Sequence, residues 1–313
     1  MLINLLPDFL AVADAADPVA AYDRYYAAHE PLLRAYWHNY VVEPDGPLFR
    51  EVIRRTVTAP RDDLLAMLSR TDVVALARLA EEQCAELFQP DAGFDIVLMV
   101  GMGAANAGEL VVNGRGVAFV ALEHFTGVAN LRTHSLGLDP ELIPMWIAHE
   151  VAHTVRYTSA RSQSAMRAQI AAHGGQYSYW DTGRFVTLGE HVVNEGLAVH
   201  AARAVSPGHA VWEYYGYSRS EYARVRELAA AAERAIRADL SQAGLGLRLK
   251  YLSGGMSDAA RTVDRAVLPE RSGYFVGAQL VEAAVRSRGL AWALRASVAE
   301  LLAVEADAVT RSA

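Results

Sequence analysis

Two histidines and a glutamate stand close together near the middle of the chain, in the segment WIAHEVAHTV (Trp146–Val155). In a helix, His149 and His153 lie at positions i and i+4, so their imidazoles project from one face and can converge on one metal ion. Glu150 leaves the helix about 100° away from His149 and can lie beside the ion without binding it. In the H-E-x-x-H motif this position holds the general base. The residue types therefore predict a hydrolytic metal centre.

The same segment has the features of a helix that packs against a protein core. Its apolar residues recur at four-residue steps, roughly opposite the histidines. They are Ile143, Ile147, Val151 and Val155. Asp139 and Pro140 precede them as a cap and a first helical residue. The helical context that the motif requires is thus present. The plainer alternative is an apolar helix that contains two histidines and binds no metal.

Two histidines are too few for a catalytic zinc ion, which typically has three protein ligands and one open position. The favoured third ligand is Glu195, in the helical segment GEHVVNEGLAVHAAR. His191 lies one turn earlier on the same face and is the alternative, either as a ligand or as a neighbouring residue of the cleft. Gly196 and Ala198 are small, so we expect the two metal-binding helices to approach closely.

The pair of motifs HEVAH and NEGLA resembles the gluzincin metallopeptidases, the thermolysin-like clan with a glutamate as third zinc ligand. A closer resemblance is to an uncharacterised family of predicted zinc-dependent proteases, which combines H-E-x-x-H with E-G-L-A and a G-Y-x-x-G helix. The last of these is similar to SGYFVG (Ser272–Gly277). The resemblance covers roughly Phe94–Val304 and, more weakly, the N-terminal helices.

The resemblance implies that His149, His153 and Glu195 bind Zn²⁺ and that Glu150 is the general base. The thermolysin pattern has an aspartate four residues after its third ligand, where this chain has Val199. The groups that orient the two histidines are therefore not identified by the sequence.

A zinc ion bound at such a site lowers the pKa of a water ligand to about 7. Glu150 would accept a proton as the water attacks an amide carbonyl and would pass it to the leaving amine. A further donor usually stabilises the negative charge that develops. The candidates are Tyr274, Tyr217 and His191. The resemblance of SGYFVG favours Tyr274, which starts a helix and can point into a cleft; a packed core tyrosine is the alternative.

The elements around these residues are mostly helical. The first ninety residues show helical periodicity, with Asp17 and Thr71 as predicted caps of two helices. Short apolar runs follow, and Asn113-Gly114 predicts a β-hairpin between two of them. Three strands within roughly Phe94–Leu122 form the predicted sheet, and its GVAFVAL strand is expected to border the site and pair with an extended peptide. One long helix is predicted over roughly Ser220–Gln242.

These patterns predict an α+β fold that is mainly α. We expect one zincin-like domain over residues 1–313, with an N-terminal helical part (1–90). The rest (91–313) would contain a small antiparallel or mixed sheet, the pair of active-site helices and the C-terminal helices.

Composition narrows the functional classes. The net charge of −7 disfavours nucleic acid as a partner. The single cysteine, Cys84, excludes zinc sites built from paired cysteines. No apolar run is long enough to cross a membrane, and no signal peptide is apparent, so the expected location is cytoplasmic. The leading hypothesis is a zinc peptidase acting on peptides or proteins, in an oligomeric state that the sequence leaves open. A zinc hydrolase of other amides or esters and a non-catalytic binding module are the alternatives.

Overall fold

The computed structural model describes residues 1–40, 43, 46, 48–263 and 265–312. This part of the chain is mainly helical and contains one small mixed sheet, so the predicted class, α+β and mainly α, is confirmed.

The N-terminal part is helical, as predicted, but it also supplies one strand. The strand β1 covers Leu2–Asn4 and was not expected within the first ninety residues. The helices that follow are α1 (Leu6–Ala13), α2 (Pro18–Ala28), α3 (Glu30–Tyr40), α4 (Phe49–Thr58), α5 (Asp62–Leu68) and α6 (Val73–Phe88). Asp17 caps α2, as predicted. The predicted cap of α6 is wrong by one residue, because Asp72 rather than Thr71 accepts a hydrogen bond from the first turn.

Four strands form the sheet in the order β1-β2-β4-β3, where β2 is Phe94–Met99, β3 is Ala107–Val112 and β4 is Arg115–Ala121. The pairs β1–β2 and β2–β4 are parallel, and β3–β4 is antiparallel. Asn113 and Gly114 have φ of 52° and 77°, as the predicted two-residue hairpin turn requires. The GVAFVAL strand, which was expected to pair with an extended peptide, forms β4 and is already paired on both sides. The edges of the sheet are β1 and β3.

The helix with the H-E-x-x-H motif is α7 (Ile143–Thr158), which packs on β3 and β4. Asp139 caps a short 3₁₀ turn that leads into it. A Cβ on Gly116 of β4 would lie 2.6 Å from the Cβ of Thr154, so the strand reaches the helix this closely because it carries a glycine there. The helix is buried from Ile143 to Tyr157. The predicted apolar stripe is therefore buried, but so are the other faces of α7.

The remaining described elements are helical apart from two small hairpins, β5–β6 (Ala129–Asn130 and Ser135–Leu136) and β7–β8 (Thr262–Val263 and Ala266–Val267). The helices after α7 are α8 (Ala165–Ala172), α9 (Tyr179–Phe185), α10 (Leu188–Val205), α11 (Arg219–Glu227), α12 (Ala229–Asp239), α13 (Leu245–Leu252), α14 (Asp258–Arg261), α15 (Ser272–Arg288), α16 (Leu290–Ala293) and α17 (Val298–Ser312). The single long helix predicted over Ser220–Gln242 is wrong, because Leu228 (φ −98°, ψ 7°) leaves helical geometry and separates α11 from α12.

Helix α10, which carries Glu195, lies between α7 and α15. A Cβ on Gly196 would lie 2.2 Å from the carbonyl carbon of Gly277 in α15. A Cβ on Gly277 would lie 2.0 Å from the carbonyl oxygen of Val192. The predicted role of Gly196 is therefore corrected: its small size permits close contact with α15 rather than with α7.

One hydrophobic cluster runs from Leu5 near the N-terminus to Leu301 in α17 and includes buried residues of the sheet and of α7 and α10. The single-domain organisation itself stays a prediction. Within the part of the chain that the structure describes, no helix is both long enough and apolar enough to span a bilayer.

Candidate metal centre

Three predicted ligand residues converge between α7 and α10. The Nε2 atom of His149 lies 3.2 Å from Oε2 of Glu195, and the Nε2 atom of His153 lies 3.5 Å from the same oxygen. The three ligand atoms all lie within 4.8 Å of one another, and both histidines are buried. The i, i+4 spacing on α7 aligns the imidazoles, and α10 supplies the carboxylate across the helix interface.

The donor set fits a zinc ion. Two imidazole nitrogens and one carboxylate oxygen are the protein ligands of one type of catalytic zinc site. With metal–ligand bonds of about 2.1 Å, tetrahedral ligands lie about 3.4 Å apart, close to the separations of 3.2 and 3.5 Å found between Glu195 and the two histidines.

Besides the contact of the His149 Nε2 atom with Glu195, ring packing orients the two histidines. Among the described residues, no group forms a hydrogen bond with the buried Nδ1 atom of either ring. The His149 ring lies between Trp146 (5.4 Å) and Tyr274 (5.9 Å, 14° between planes). The His153 ring stacks on Tyr157 at 6.1 Å and 17°. The chain has Val199 where thermolysin has an aspartate, and these aromatic contacts hold the planes of the histidine rings instead.

The charges of the three ligand residues support one another. Burial lowers the pKa of His153, but the nearby carboxylate of Glu195 outweighs this and raises the pKa to about 10. Burial raises the pKa of Glu195, but the two imidazoles outweigh this and hold it well below its usual range. Burial lowers the pKa of His149. The site therefore keeps an anionic oxygen beside the two imidazoles.

Glu150 lies beside this cluster and lines the same cleft. It is only 4% exposed, and its carboxylate forms no hydrogen bond with any described residue. One of its oxygens lies within 4.8 Å of ligand atoms of both His153 and Glu109. Burial raises its pKa well above the usual value; His153 opposes this shift and Glu109 adds to it. A buried, unpaired carboxylate that faces a cleft is suited to accept a proton.

Glu109, on the edge strand β3, was not predicted as a site residue. It is 9% exposed, and its oxygens accept hydrogen bonds from the hydroxyl groups of Tyr40 (2.8 Å) and Tyr157 (3.2 Å). Asn194 donates in turn to the Tyr157 hydroxyl at 2.8 Å. The sequence signal for Glu109 was a single acidic residue inside the apolar strand AGELVV. A carboxylate on a strand that packs into a core is costly unless it has partners or a function.

Tyr274 lies where the sequence predicts, in the first turn of α15 and on the wall of the cleft. Its ring stacks on His149, and the guanidinium of Arg271 lies 5.5 Å from its ring centre. Burial, together with the charge of Glu195, raises its pKa well above the usual value, so the hydroxyl keeps its proton. Tyr274 can therefore act as a hydrogen-bond donor beside the ligand cluster.

The other two predicted donors are placed less favourably. Tyr217 lines the cleft, but its hydroxyl already donates to the carbonyl of Arg271 at 2.7 Å. The His191 ring lies 3.2 Å from the carbonyl of Thr182 and is not part of the cleft wall. His191 therefore does not join His149 and His153, and the structure brings Glu195 to that position instead.

The cleft above these residues has a volume of about 950 Å³. Its lining includes residues 103–109, which contain the start of β3, and also Trp212 and residues 216–218. Tyr179 and Arg248 line it as well. The cleft is large enough for several residues of an extended chain.

Part of the chain is similar to a known protein family. Residues 171–311 match a family model described as "Predicted Zn-dependent protease (DUF2268)". The matched part contains Glu195 and Tyr274 and begins after the H-E-x-x-H motif. No curated protein and no solved structure matches the chain. The match supports a relationship to a family of zinc proteases in general terms.

Proposed function

We propose that this protein is a zinc-dependent peptidase in which His149, His153 and Glu195 hold the metal ion and Glu150 is the general base. The observation that carries the proposal is the convergence of these three ligand residues beside an unpaired, buried carboxylate. A purely structural metal site has no need of Glu150. The description of the family that matches residues 171–311 supports the same class of reaction.

When bound, zinc would polarise a substrate carbonyl and increase the acidity of water at the site. The residues of the chain would then move the proton. Glu150 accepts it from the attacking water and delivers it to the leaving nitrogen, which completes hydrolysis of the amide. Burial raises the pKa of Glu150 above that of a free carboxyl group, which makes its carboxylate a stronger proton acceptor.

Tyr274 would donate its hydroxyl proton in a hydrogen bond to the carbonyl oxygen as negative charge develops there. Its ring is held by His149 on one side and by Arg271 on another, so its position is set before substrate binds. Preorganised donors of this kind contribute more to the transition state than to the ground state. Within the proposed mechanism, Tyr274 is the donor that stabilises the oxyanion.

The first test is the zinc content of the purified, untagged protein by elemental mass spectrometry. We expect about one zinc ion per chain, and its loss in His149→Ala. His173→Ala is the matched control, because His173 is exposed at the end of α8 and lies outside the cleft. Zinc retained in His149→Ala, or absent from the wild-type protein after zinc is supplied, would contradict the proposal.

The second test concerns the chemistry. Glu150→Gln should keep its zinc and lose cleavage of a peptide library, whereas Glu141→Gln, at an exposed position before α7, should behave like the wild type. Panels of small amides and esters are assayed in parallel. Hydrolysis of those compounds without peptide cleavage would replace the peptidase by another zinc hydrolase.

A further inference from the structure

Strand β3 forms one edge of the sheet beside the candidate metal centre, and part of its outward backbone is already hydrogen-bonded within the protein. Directly before β3, the carbonyl of Asn106 accepts a hydrogen bond from the N–H of Ala121 in β4. The alternate residues Ala107, Glu109 and Val111 of β3 therefore direct their backbone N–H and C=O groups away from β4. At Glu109 the N–H donates to the Tyr40 hydroxyl (3.0 Å), and that hydroxyl shares its one proton between the carbonyl oxygen (2.7 Å) and the carboxylate (2.8 Å) of Glu109.

The closure continues beyond Glu109. The carbonyl of Val111 accepts a hydrogen bond from the N–H of Tyr177 at 3.1 Å, and Asn39 of α3 donates to the carbonyl of Tyr177. No described residue forms a hydrogen bond with the outward groups of Ala107. A peptide can therefore pair with β3 near Ala107, but it cannot continue as a strand past Glu109. A substrate that pairs with β3 would therefore have one end there.

The charge at the closed end indicates which end of a peptide fits. The Glu109 carboxylate lies on the wall of the cleft, and it forms no ion pair with a described lysine, arginine or histidine. Two tyrosine hydroxyls hold it in place, and its charge acts at longer range on His153 and Arg248 without a direct ion pair. A carboxylate in this setting attracts an ammonium group and repels the carboxylate of a peptide C-terminus.

The distances also agree with a reacting bond nearby. Glu109 and Glu150 have oxygens within 4.8 Å of each other. In a peptide, the α-nitrogen of the first residue lies about 2.5 Å from its own carbonyl carbon. An ammonium group bound to Glu109 would therefore place the first carbonyl next to Glu150.

We propose that this protein is an exopeptidase that removes residues from the free amino end of a peptide, and that Glu109 binds the substrate's α-ammonium group. The proposal rests on the peptidase function proposed above. The reaction consumes one water: the C–N bond of the first peptide group breaks, the water oxygen joins the carbonyl carbon, and the leaving nitrogen takes a proton through Glu150. Tyr40 is a positioning residue, since it closes the strand edge and holds the Glu109 carboxylate.

The test compares two tetrapeptide libraries that vary at the first position and carry alanine at the other three. One library has free amino ends and the other is N-acetylated. We expect the zinc-loaded wild-type protein to release the first residue from the free peptides and to cleave the acetylated ones at least about 30-fold more slowly, as expected when one partner of a buried charge contact is lost. Equal rates on the two libraries, or cleavage mainly at internal bonds, would overturn the proposal without any variant.

The Glu109→Gln variant assigns the effect to this residue. It should keep its zinc and lose about 30-fold or more in kcat/KM on free peptides, with little change on acetylated ones, so that the discrimination disappears. Glu141→Gln is the control. If Glu109→Gln keeps the discrimination, or loses its zinc, Glu109 is not the ammonium site.

A binding measurement separates failure of this inference from failure of the peptidase proposal. Calorimetry on zinc-loaded Glu150→Gln compares tetra-alanine with its N-acetylated form. We expect binding of tetra-alanine to be tighter by a factor of ten or more, and the difference to vanish when Glu109→Gln is added. If no peptide is cleaved but this difference is found, the ammonium site stands and the peptidase proposal fails. Equal affinities overturn the ammonium site.

Discussion

Arg156 on α7 and Glu190 on α10 form an ion pair with an N–O distance of 2.7 Å, and their side chains are 0% and 4% exposed. Arg156 also donates to the carbonyl of Ala296, and Glu190 accepts a hydrogen bond from the Ser164 hydroxyl. The pair joins the two helices that carry the proposed ligand residues. It therefore helps to set the relative position of His153 and Glu195.

Replacing Arg156 by methionine would leave Glu190 buried and without its partner charge. We expect the free energy of unfolding to fall by about 3–5 kcal/mol, measured by urea denaturation. Arg54→Met is the matched control: Arg54 and Glu51 form the same kind of pair, but their side chains are 60% and 59% exposed, so the loss should stay below about 1 kcal/mol. Similar losses in the two variants would contradict the importance of burial at the Arg156 pair.

The contact between Gly196 and Gly277 predicts a second effect on the same helix. In Gly196→Ala the new Cβ would meet the backbone of Gly277, which has no side chain that can move aside. We expect a loss of about 1–3 kcal/mol in stability and weaker zinc binding, because Glu195 is the adjacent residue. In the control, Gly246→Ala, the added Cβ meets open space within α13, so this variant should gain about 0.5–1 kcal/mol. Thermal denaturation with and without zinc measures both effects.

The parts of the structure that the sequence predicted well depend on local spacing. His149, Glu150 and His153 lie within two turns of one helix, so helical geometry alone places them side by side. The turn at Asn113 and Gly114 likewise follows from the conformational preferences of two adjacent residues. In both cases the residues that form the pattern are neighbours in sequence, so local backbone geometry determines their arrangement.

The parts that were missed depend on contacts between distant segments. The closed edge of β3 results from Tyr40 reaching Glu109, and no periodicity links a tyrosine of α3 to that strand. The pairing of β1 with β2 brings Leu2 beside Ile96, which no local pattern reveals in a segment of three residues. The break at Leu228 interrupts a helical pattern without a proline or glycine. Tertiary contacts rather than local propensity decide such features.

The ion pair between Asp95 of β2 and Arg115 of β4 predicts how stability depends on pH. Burial of Asp95 favours its neutral form, but the hydrogen bonds and charge of Arg115 outweigh burial and lower the pKa of Asp95 below its usual value. The pair therefore stabilises the fold above a pH of about 4, the pKa of an unfolded aspartate, and this contribution is lost as the pH falls through the lower folded-state pKa.

The measurement for this prediction is urea denaturation of wild type and Asp95→Asn from pH 7 down to pH 3. We expect the wild type to be more stable at neutral pH and the difference to shrink on acidification. Asp23→Asn removes a comparable contact with Arg50 on the exposed surface and should cost less than about 1 kcal/mol at any of these pH values. A difference between wild type and Asp95→Asn that grows as the pH falls would have the wrong sign for a lowered pKa.

The role proposed for Tyr274 predicts a kinetic effect that separates it from Tyr217. Tyr274→Phe keeps the ring that stacks on His149 and removes only the hydroxyl. If that hydroxyl stabilises the developing oxyanion, kcat on free tetrapeptides should fall by about 100- to 1,000-fold, with KM and zinc content little changed. Tyr217→Phe removes a hydroxyl that is already committed to the carbonyl of Arg271, so it should lower stability and leave kcat within a few-fold of the wild type. Equal losses of kcat in the two variants, or a normal kcat in Tyr274→Phe, would show that Tyr274 is a packing residue and not the oxyanion donor.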